Sequence, residues 1–451
     1  MKPVLMEPLP KPLETSWRVP GSKSITNRAL ILAALHDGET ELRGCLHSDD
    51  TKHMRNALVA MGIEIEVDGT TLKVKGGVDK LKAPKEDIFI GNSGTSVRFL
   101  TGLAALLPGP VTFVGDEYMA VRPLGDLVDA LRQLGVEVDC PTGCPPLTIK
   151  GNGSLAGGKV TMNGSKSSQY FSALMLMGGC AKGPIEIQVE GTLVSLPYVK
   201  MTMQMVEDFG GKIVHHEDKN SFTVQVREPV ASSDAIKVYV IEPDASTASY
   251  PFALAAATGS KIEVPAINEK SIQGDFGFVH VLEKMGCTVS TSAEGTTLQG
   301  PPRGELEGIE IDMHHISDTV MSLAAIAPLC KGPVKITNVA NIRIKETDRL
   351  EATVNELKRL GQDVENGDDW LEIKPGKPVQ PCSIECYGDH RMAMSFGILG
   401  KAVPGITITD SECTAKTYPE FFKDLDALCA EVDPDTACAD VPDPKRAKTD
   451  A

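Results

Sequence analysis

Three short turns in the first half of the chain carry the same chemistry. Pro20-Gly-Ser-Lys-Ser24 is followed by Arg28 and Gly91-Asn-Ser-Gly-Thr95 by Arg98, while Asn163-Gly-Ser-Lys-Ser-Ser-Gln169 repeats the first turn's Ser-Lys-Ser. Glycines let the backbone approach a ligand, and the free N–H groups and dipole of a helix start favour an anion there. One Ser/Gly-rich turn is an ordinary N-cap, and the Gly-x4-Gly-Lys-Ser/Thr spacing of a nucleotide-binding loop is absent. Recurrence is what points to a ligand. The second half adds charge. Asn341-Ile-Arg-Ile-Lys345-Glu-Thr-Asp-Arg349 sets Lys345 and Arg349 at i,i+4 with Glu346 between them, on one face if the segment opens a helix. Asp318 and Asp389-His390-Arg391 are expected to cap two further helices. Lys23, Arg28, Arg98, Arg122, Lys345, Arg349, Arg391 and Lys416 all sit near such turns, which predicts a local cationic pocket that focuses a small polyanion.

The elements that would hold these residues repeat. Small-residue-rich helical segments begin at Ser24, Thr95, Ser168, Ser246, Asp318 and His390, at intervals of 71, 73, 78, 72 and 72 residues. A strand phrase precedes each: Trp17-RVPGSKS, Asp87-IFIGNSGT, Lys159-VTMNGSKSS, Val238-YVIEPDAS, Ile309-EIDMHHISD and Cys382-SIECYGDH. Alternating runs such as Gly183-PIEIQV and Gly332-PVKIT follow five of the segments. A second helix then ends in Met61-GIEIEV, Leu134-GVEV, Phe209-GGKIV, Met285-GCTV, Leu360-GQDV and a weaker Leu428-CAEV, and final strands include Thr71-LKVKG, Pro146-LTIKG and Trp370-LEIKPG. The unit is βαβαββ, and six copies share phrase order and period, more than simple strand–helix alternation requires.

Composition narrows the function. The 451 residues include 45 Lys plus Arg against 61 Asp plus Glu, a formal charge of −16 that disfavours nucleic acid and anionic membranes. No apolar run reaches the length of about 18 residues that a membrane span needs. Eleven Cys without a CxxC pair read as reduced thiols. His215-His216 and His314-His315 lack ligands at metal-binding spacing, and Met201-Thr-Met-Gln-Met205 reads as core filler. No targeting peptide is visible in Met1–Pro12.

Pro20-GSKSITNRAL, Gly91-NSGTSVRFLT, Arg122-PLGDLVDAL, Gly164-SKSSQY, Glu242-PDASTASY, Asn341-IRIKETDRL, Tyr387-GDHRMAM and Thr414-AKTYPEFF together closely resemble the 5-enolpyruvylshikimate-3-phosphate synthase family, in order from about residue 10 to 430. The resemblance implies an α/β fold, a two-lobed inside-out α/β barrel with three βαβαββ repeats per lobe and the active site in the cleft between them. Residues 1–20 plus 242–432 would form lobe I and 21–241 lobe II, with 433–451 a disordered tail. The implied reaction moves the enolpyruvyl group of phosphoenolpyruvate to the 5-hydroxyl of shikimate 3-phosphate, with release of phosphate. Lys23, Ser24, Arg28, Ser167, Ser168, Gln169, Ser195, Asp318, Asn341 and Lys345 would hold shikimate 3-phosphate. Lys23, Gly94, Arg122, Gln169, Arg349, Arg391 and Lys416 would hold phosphoenolpyruvate. Asp318 would be the base, with Lys23 and Glu346 sharing the acid role, and no metal or organic cofactor is implied. A monomer is expected, in the cytoplasm, or in a plastid where a removed transit peptide preceded Met1.

Phe99, Leu196 and Gly388 depart from the commonest residues of the family, whereas Gly94-Thr95 resembles its glyphosate-sensitive type. The related UDP-N-acetylglucosamine enolpyruvyl transferase fits less well, because its loop Cys has no counterpart in Asp116-EYMAVRP. A non-catalytic anion-binding scaffold is opposed by intact Lys23, Asp318, Glu346 and Arg391. Arg98-Phe-Leu-Thr also resembles the synthase domain of a fungal five-activity polypeptide, so the chain reads as free-standing or as an excised domain.

Overall fold

A helix that is apolar on every side must be buried on every side. The computed structural model of the chain, which describes residues 2–228 and 236–430, meets that condition six times. Among the described residues the α-helices are α1 (Lys23–Leu35), α2 (Asp49–Ala60), α3 (Gly94–Ala104), α4 (Gly125–Gln133), α5 (Ser168–Gly178), α6 (Leu196–Asp208), α7 (Ala245–Thr258), α8 (Phe278–Lys284), α9 (Val320–Ile326), α10 (Arg349–Arg359), α11 (His390–Ala402) and α12 (Phe421–Ala430). Helices α1, α3, α5, α7, α9 and α11 are the small-residue-rich segments, buried along nearly their whole length. They pack in two triplets, α1–α3–α5 and α7–α9–α11. Their small residues allow close approach: a Cβ on Gly102 of α3 would stand 2.9 Å from the Ala173 carbonyl oxygen of α5.

Among the described residues, five four-stranded sheets and one three-stranded sheet surround these helices. In the third repeat the order is Gly158–Asn163, Ile185–Glu190, Ser221–Gln225, Lys212–His216, with the first pair parallel and the others antiparallel. Along Ile185–Glu190 the apolar side chains are buried and the polar ones exposed, so the sheet turns one face to the helices and the other to water. Helices inside and sheets outside is the inside-out α/β arrangement. The buried apolar residues form two clusters, one drawn from Ile25–Ile241 and the other from Met6–Trp17 with Ala245–Leu425.

The βαβαββ unit needs correction in three places. The first strand is Glu14–Ser16, ahead of the expected Trp17-Arg-Val, and it pairs in parallel with Lys261–Pro265 of the fourth repeat. In exchange, Lys237–Val240 pairs with Gly38–Arg43 of the first repeat. The two chain segments cross where Gly21 and Pro243 form an isolated bridge, flanked by Ser22 N–H to Glu242 O at 2.8 Å and Asp244 N–H to Pro20 O at 2.9 Å. Only glycine fits here, because a Cβ at Gly21 would lie 1.9 Å from the Gly44 carbonyl oxygen. Thirdly, the sixth sheet takes Val4–Leu5 from the start of the chain as its third strand. The Leu428-Cys-Ala phrase belongs to α12; the rest of it and the expected tail lie outside the described residues.

Candidate active site

The six buried helices begin on one cleft. Lys23 and Ser24 open α1, Gly94 and Thr95 open α3, and Ser167 caps α5 through Gln169 N–H. From the other triplet, Asp244 caps α7, Asp318 stands in the 3-10 turn His314–Thr319 just ahead of α9, and Asp389 caps α11 through Arg391 N–H. Asp318 is therefore not the N-cap its position suggested, because the chain first makes a separate tight turn. Converging helix starts add positive potential to whatever the side chains supply.

Two adjoining pockets make up the cleft. One is lined by Lys23, Ser24, Ser167, Ser168, Gln169, Ser195, Tyr198, Asp318, Asn341, Lys345 and Arg391, among others. The second is lined by Gly94, Arg98, Arg122, Glu346 and Arg349, and shares Lys23, Gln169, Asp318, Lys345 and Arg391 with the first. This second pocket holds seven cations, Lys23, Arg98, Arg122, Lys166, Lys345, Arg349 and Arg391, against the carboxylates of Asp50, Asp318 and Glu346. A surplus of four positive charges remains in a molecule whose formal charge is −16.

Arg28 and Lys416 stand outside both linings. Arg28 lies behind the wall, where it donates to Thr202 Oγ1 at 2.8 Å, Ser24 O at 2.9 Å and Ser172 Oγ at 3.2 Å, with its guanidinium 5.0 Å from the Phe99 ring centroid. Lys416 pairs with Asp50 at 3.3 Å and Glu346 at 3.6 Å and donates to Asn92 O. Lys345 and Arg349 do not share a helix face. Lys345 has a non-helical backbone (φ −89°, ψ −141°) after the turn Ala340–Ile344, and α10 begins only at Arg349. Both nevertheless reach Asp318.

Asp318 faces Arg391 at 3.0 Å, Arg349 at 3.2 Å and Lys345 at 3.6 Å. Burial alone would raise its carboxyl, but Arg391, Lys345 and Arg349 outweigh burial and hold it far below the usual carboxylate range. Glu346, 2.7 Å from Arg349 and 3.9 Å from Arg122, is likewise held well below its ordinary value by Arg349, Arg122 and Lys416 against the cost of burial. Arg349 is also locked to Asp389 at 2.7 Å. Burial pushes Lys345 down, partly countered by Asp318, and pushes the His390 imidazole far below 6.5.

Contacts tie the two helix triplets together across the cleft. Asn341 Nδ2 donates to Ser195 Oγ at 3.3 Å, and the Tyr198 hydroxyl stands 3.3 Å from Asp318 Oδ2. Ser195 itself has a left-handed backbone (φ 52°), unusual for a non-glycine residue, which turns the chain into α6. Sequence reasoning missed Asp50 and Tyr198, whereas Arg98, expected in the cationic pocket, does line it. Asp50 enters from the start of α2, a second helix of a repeat, and Tyr198 from the first turn of α6, so a search of the first-helix turns passes over both. The one available signal was the Ser48-Asp-Asp capping run. Met201 and Met205 are core residues, and His215 stacks on Phe222 at 4.3 Å.

Comparison with known proteins bears on this arrangement. The family described as EPSP synthase (3-phosphoshikimate 1-carboxyvinyltransferase) matches residues 9–425. A Nostoc punctiforme protein named 3-phosphoshikimate 1-carboxyvinyltransferase is 42% identical over 418 residues, 92% of this chain and 96% of its own length. The chloroplastic protein of that name from Arabidopsis thaliana is 40% identical over 427 residues, 91% of this chain and 82% of its own. A solved EPSP synthase from Acinetobacter baumannii superposes with a TM-score of 0.78 at 26% identity, covering 95% of this chain and 98% of its own.

Proposed function

The chain belongs to the EPSP synthase family, the 3-phosphoshikimate 1-carboxyvinyltransferases of the shikimate pathway, and we propose that the cationic cleft is where it carries out that transfer. The enolpyruvyl group of phosphoenolpyruvate moves to the 5-hydroxyl of shikimate 3-phosphate, and phosphate leaves. Shikimate 3-phosphate would take the pocket that holds Ser24, Ser167, Ser168, Ser195, Asn341 and Lys345, with Arg28 behind it. Phosphoenolpyruvate would take the one that holds Gly94, Arg122, Arg349 and Arg391, with Lys416 at its rim. Lys23, Gln169 and Asp318, with Ser167, Lys345 and Arg391, belong to both linings and would stand between the reacting groups, while Ser24, Ser168, Ser195 and Asn341 line only the first pocket and Gly94, Arg122 and Arg349 only the second. That two-part division, within one surplus of positive charge, carries the reading.

Addition needs a base for the 5-hydroxyl proton and an acid for the methylene carbon. Asp318 suits the first role and Glu346 or Lys23 the second. Both carboxyls are held ionised by cations, and a good acid or base works near ambient pH. Anionic substrates resolve the conflict: their phosphate and carboxylate groups compete for Arg391, Lys345, Arg122 and Lys416, and so raise Asp318 and Glu346 toward the working range. General acid–base help is worth about 10²–10⁴ in rate, and fixed cations at the developing charge add a comparable amount.

The division at residues 1–20 plus 242–432 and 21–241 would supply the hinge. It agrees with the two buried clusters and the crossing at Gly21 and Pro243. Two adjacent antiparallel linkers favour opening as a hinge, with Lys416–Asp50, Arg122–Glu346 and Tyr198–Asp318 as contacts that part on opening. Cytoplasm or plastid would each supply both substrates, and among the described residues no helix is long and apolar enough to cross a membrane. The deciding assay is phosphate release from phosphoenolpyruvate with and without shikimate 3-phosphate. Turnover that requires both supports the transfer; tight binding without turnover points to an anion-binding scaffold.

A further inference from the structure

A carboxyl that the mechanism above does not use lies behind the proposed base. Asp275 sits in the 3-10 turn Gly274–Gly277 ahead of α8 and is 3% exposed. Its Oδ2 accepts hydrogen bonds from Ser246 Oγ, in a very short contact, and from the Tyr198 hydroxyl at 2.9 Å. Its Oδ1 is buried with no hydrogen-bond partner, and the carboxyl forms no ion pair among the described residues. Such a carboxylate is costly unless it binds a proton. Asp318 is the opposite case, a carboxylate beside three cations that is costly when protonated. The Tyr198 hydroxyl lies between the two, 3.3 Å from Asp318 Oδ2 and 2.9 Å from Asp275 Oδ2, with one proton to donate.

We propose that Asp275 stores the proton Asp318 takes from the 5-hydroxyl, and that Tyr198 carries it across. The inference rests on reading Asp318 as the base. Once Asp318 is protonated, its O–H bond breaks toward the Tyr198 oxygen while the Tyr198 O–H bond breaks toward Asp275 Oδ2. Tyrosine ends neutral, Asp318 regains its charge beside Arg349, Arg391 and Lys345, and Asp275 becomes a neutral carboxyl. The reverse transfer returns the proton that departs with phosphate, so no other acid or base is consumed.

The surroundings suit a store. Burial and the Asp318 charge raise the Asp275 carboxyl to about 6, against the Ser246 hydrogen bond, the Arg391 charge and the Tyr198 hydrogen bond. At neutral pH it is ionised and can accept a proton, yet it can return it. The groups that face it are Tyr198 from α6, Ser246 from α7, Asp318 from the turn before α9 and Arg391 from α11; on α8 itself His280 pairs with Glu283 at 3.7 Å.

Asp275→Asn keeps the shape but cannot take a proton. The expected result is a kcat lower by about tenfold or more, with dissociation constants for both substrates, measured by calorimetry, within about threefold of the parent. The limb of the kcat–pH profile near 6 should vanish. Tyr198→Phe should lose the same limb, and the double variant should be no slower than the slower single one. An intact limb with full kcat in Asp275→Asn overturns the store, and so do losses that multiply in the double variant. If Asp275→Asn does not fold, Tyr198→Phe decides: a lost limb supports the relay and a retained one overturns it. Asp318→Asn tests the premise separately, because turnover retained there removes the base, whereas an inactive Asp318→Asn beside an unimpaired Asp275→Asn removes only the store.

Discussion

Arg122 reaches the cleft from the end of the short turn Met119–Val121, where its guanidinium lies 3.2 Å from Asn92 Oδ1 and 3.9 Å from Glu346 Oε1. It lines only the pocket assigned to phosphoenolpyruvate. A hydrogen bond to a charged group is worth about 1.5–3 kcal/mol. Arg122→Ala should therefore raise KM for phosphoenolpyruvate by about 10- to 100-fold, with little change for shikimate 3-phosphate in the phosphate-release assay. Equal weakening of both would show the division of the cleft to be wrong. Gly94 supplies a second test of the same pocket, because a Cβ there would stand 2.7 Å from the Arg122 guanidinium carbon. Gly94→Ala should displace that group and weaken phosphoenolpyruvate. The parent enzyme should be inhibited by glyphosate at low phosphoenolpyruvate and the alanine variant much less so. Phosphate release by the parent that continues undiminished at saturating glyphosate would reject this expectation.

The start of α11 shows what an element adds to its residues. Asp389 caps the helix and at the same time fixes Arg349, while His390, the first helical residue, is buried with neither ring nitrogen hydrogen-bonded. Burial, the nearby cations and the positive end of the helix all oppose an imidazolium there. The folded pKa lies below the unfolded value of about 6.5, so the unfolded state binds the extra proton. His390 thus contributes stability above about 6.5 that is lost as pH falls below it, at up to about 1.4 kcal/mol per unit. Thermal melts from pH 7.5 to 5.5 should show the parent losing stability faster than His390→Gln; parallel curves would count against it. Asp318, Glu346 and Asp50, held low, act only below about 4. Asp275 acts in the opposite sense below about 6, but both proteins share it. Spacing alone misjudged this interval too: Lys345 and Arg349 meet through a turn and a helix start, where an i,i+4 interval suggested one helix face.

Over the whole molecule, an acidic exterior encloses a cleft in which seven cations face three carboxylates. Walls of low dielectric focus that local field, and the outer charge repels anions that miss the cleft. Because long-range steering is screened beyond about 8–10 Å at physiological salt, kcat/KM for both substrates should fall several-fold between about 0.01 and 0.3 M chloride, with kcat less affected. A flat response in steady-state kinetics would argue against steering. The crossing at Gly21 and Pro243 matters at the same scale, since there the chain leaves Glu14–Ser16, paired with Lys261–Pro265, for the first triplet, and leaves Lys237–Val240, paired with Gly38–Arg43, for the second.

The repeat, its helical segments, the cationic turns and the family were all legible in the sequence, because helix periodicity, capping and turn chemistry are local properties of neighbouring residues. The phrases Asn341-IRIKETDRL and Tyr387-GDHRMAM even marked Arg349 and Arg391 as partners of one site, although 42 positions separate them. Only the tertiary structure decided which strands are exchanged between the first and fourth repeats, that Asp50 and Tyr198 enter the cleft, and that Asp275 lies behind Asp318. Those facts depend on contacts between residues far apart in the chain, 247 positions for Glu14 and Lys261 and 366 for Asp50 and Lys416, and on the charges that burial brings within a few ångströms of one another. No spacing along the chain encodes such distances.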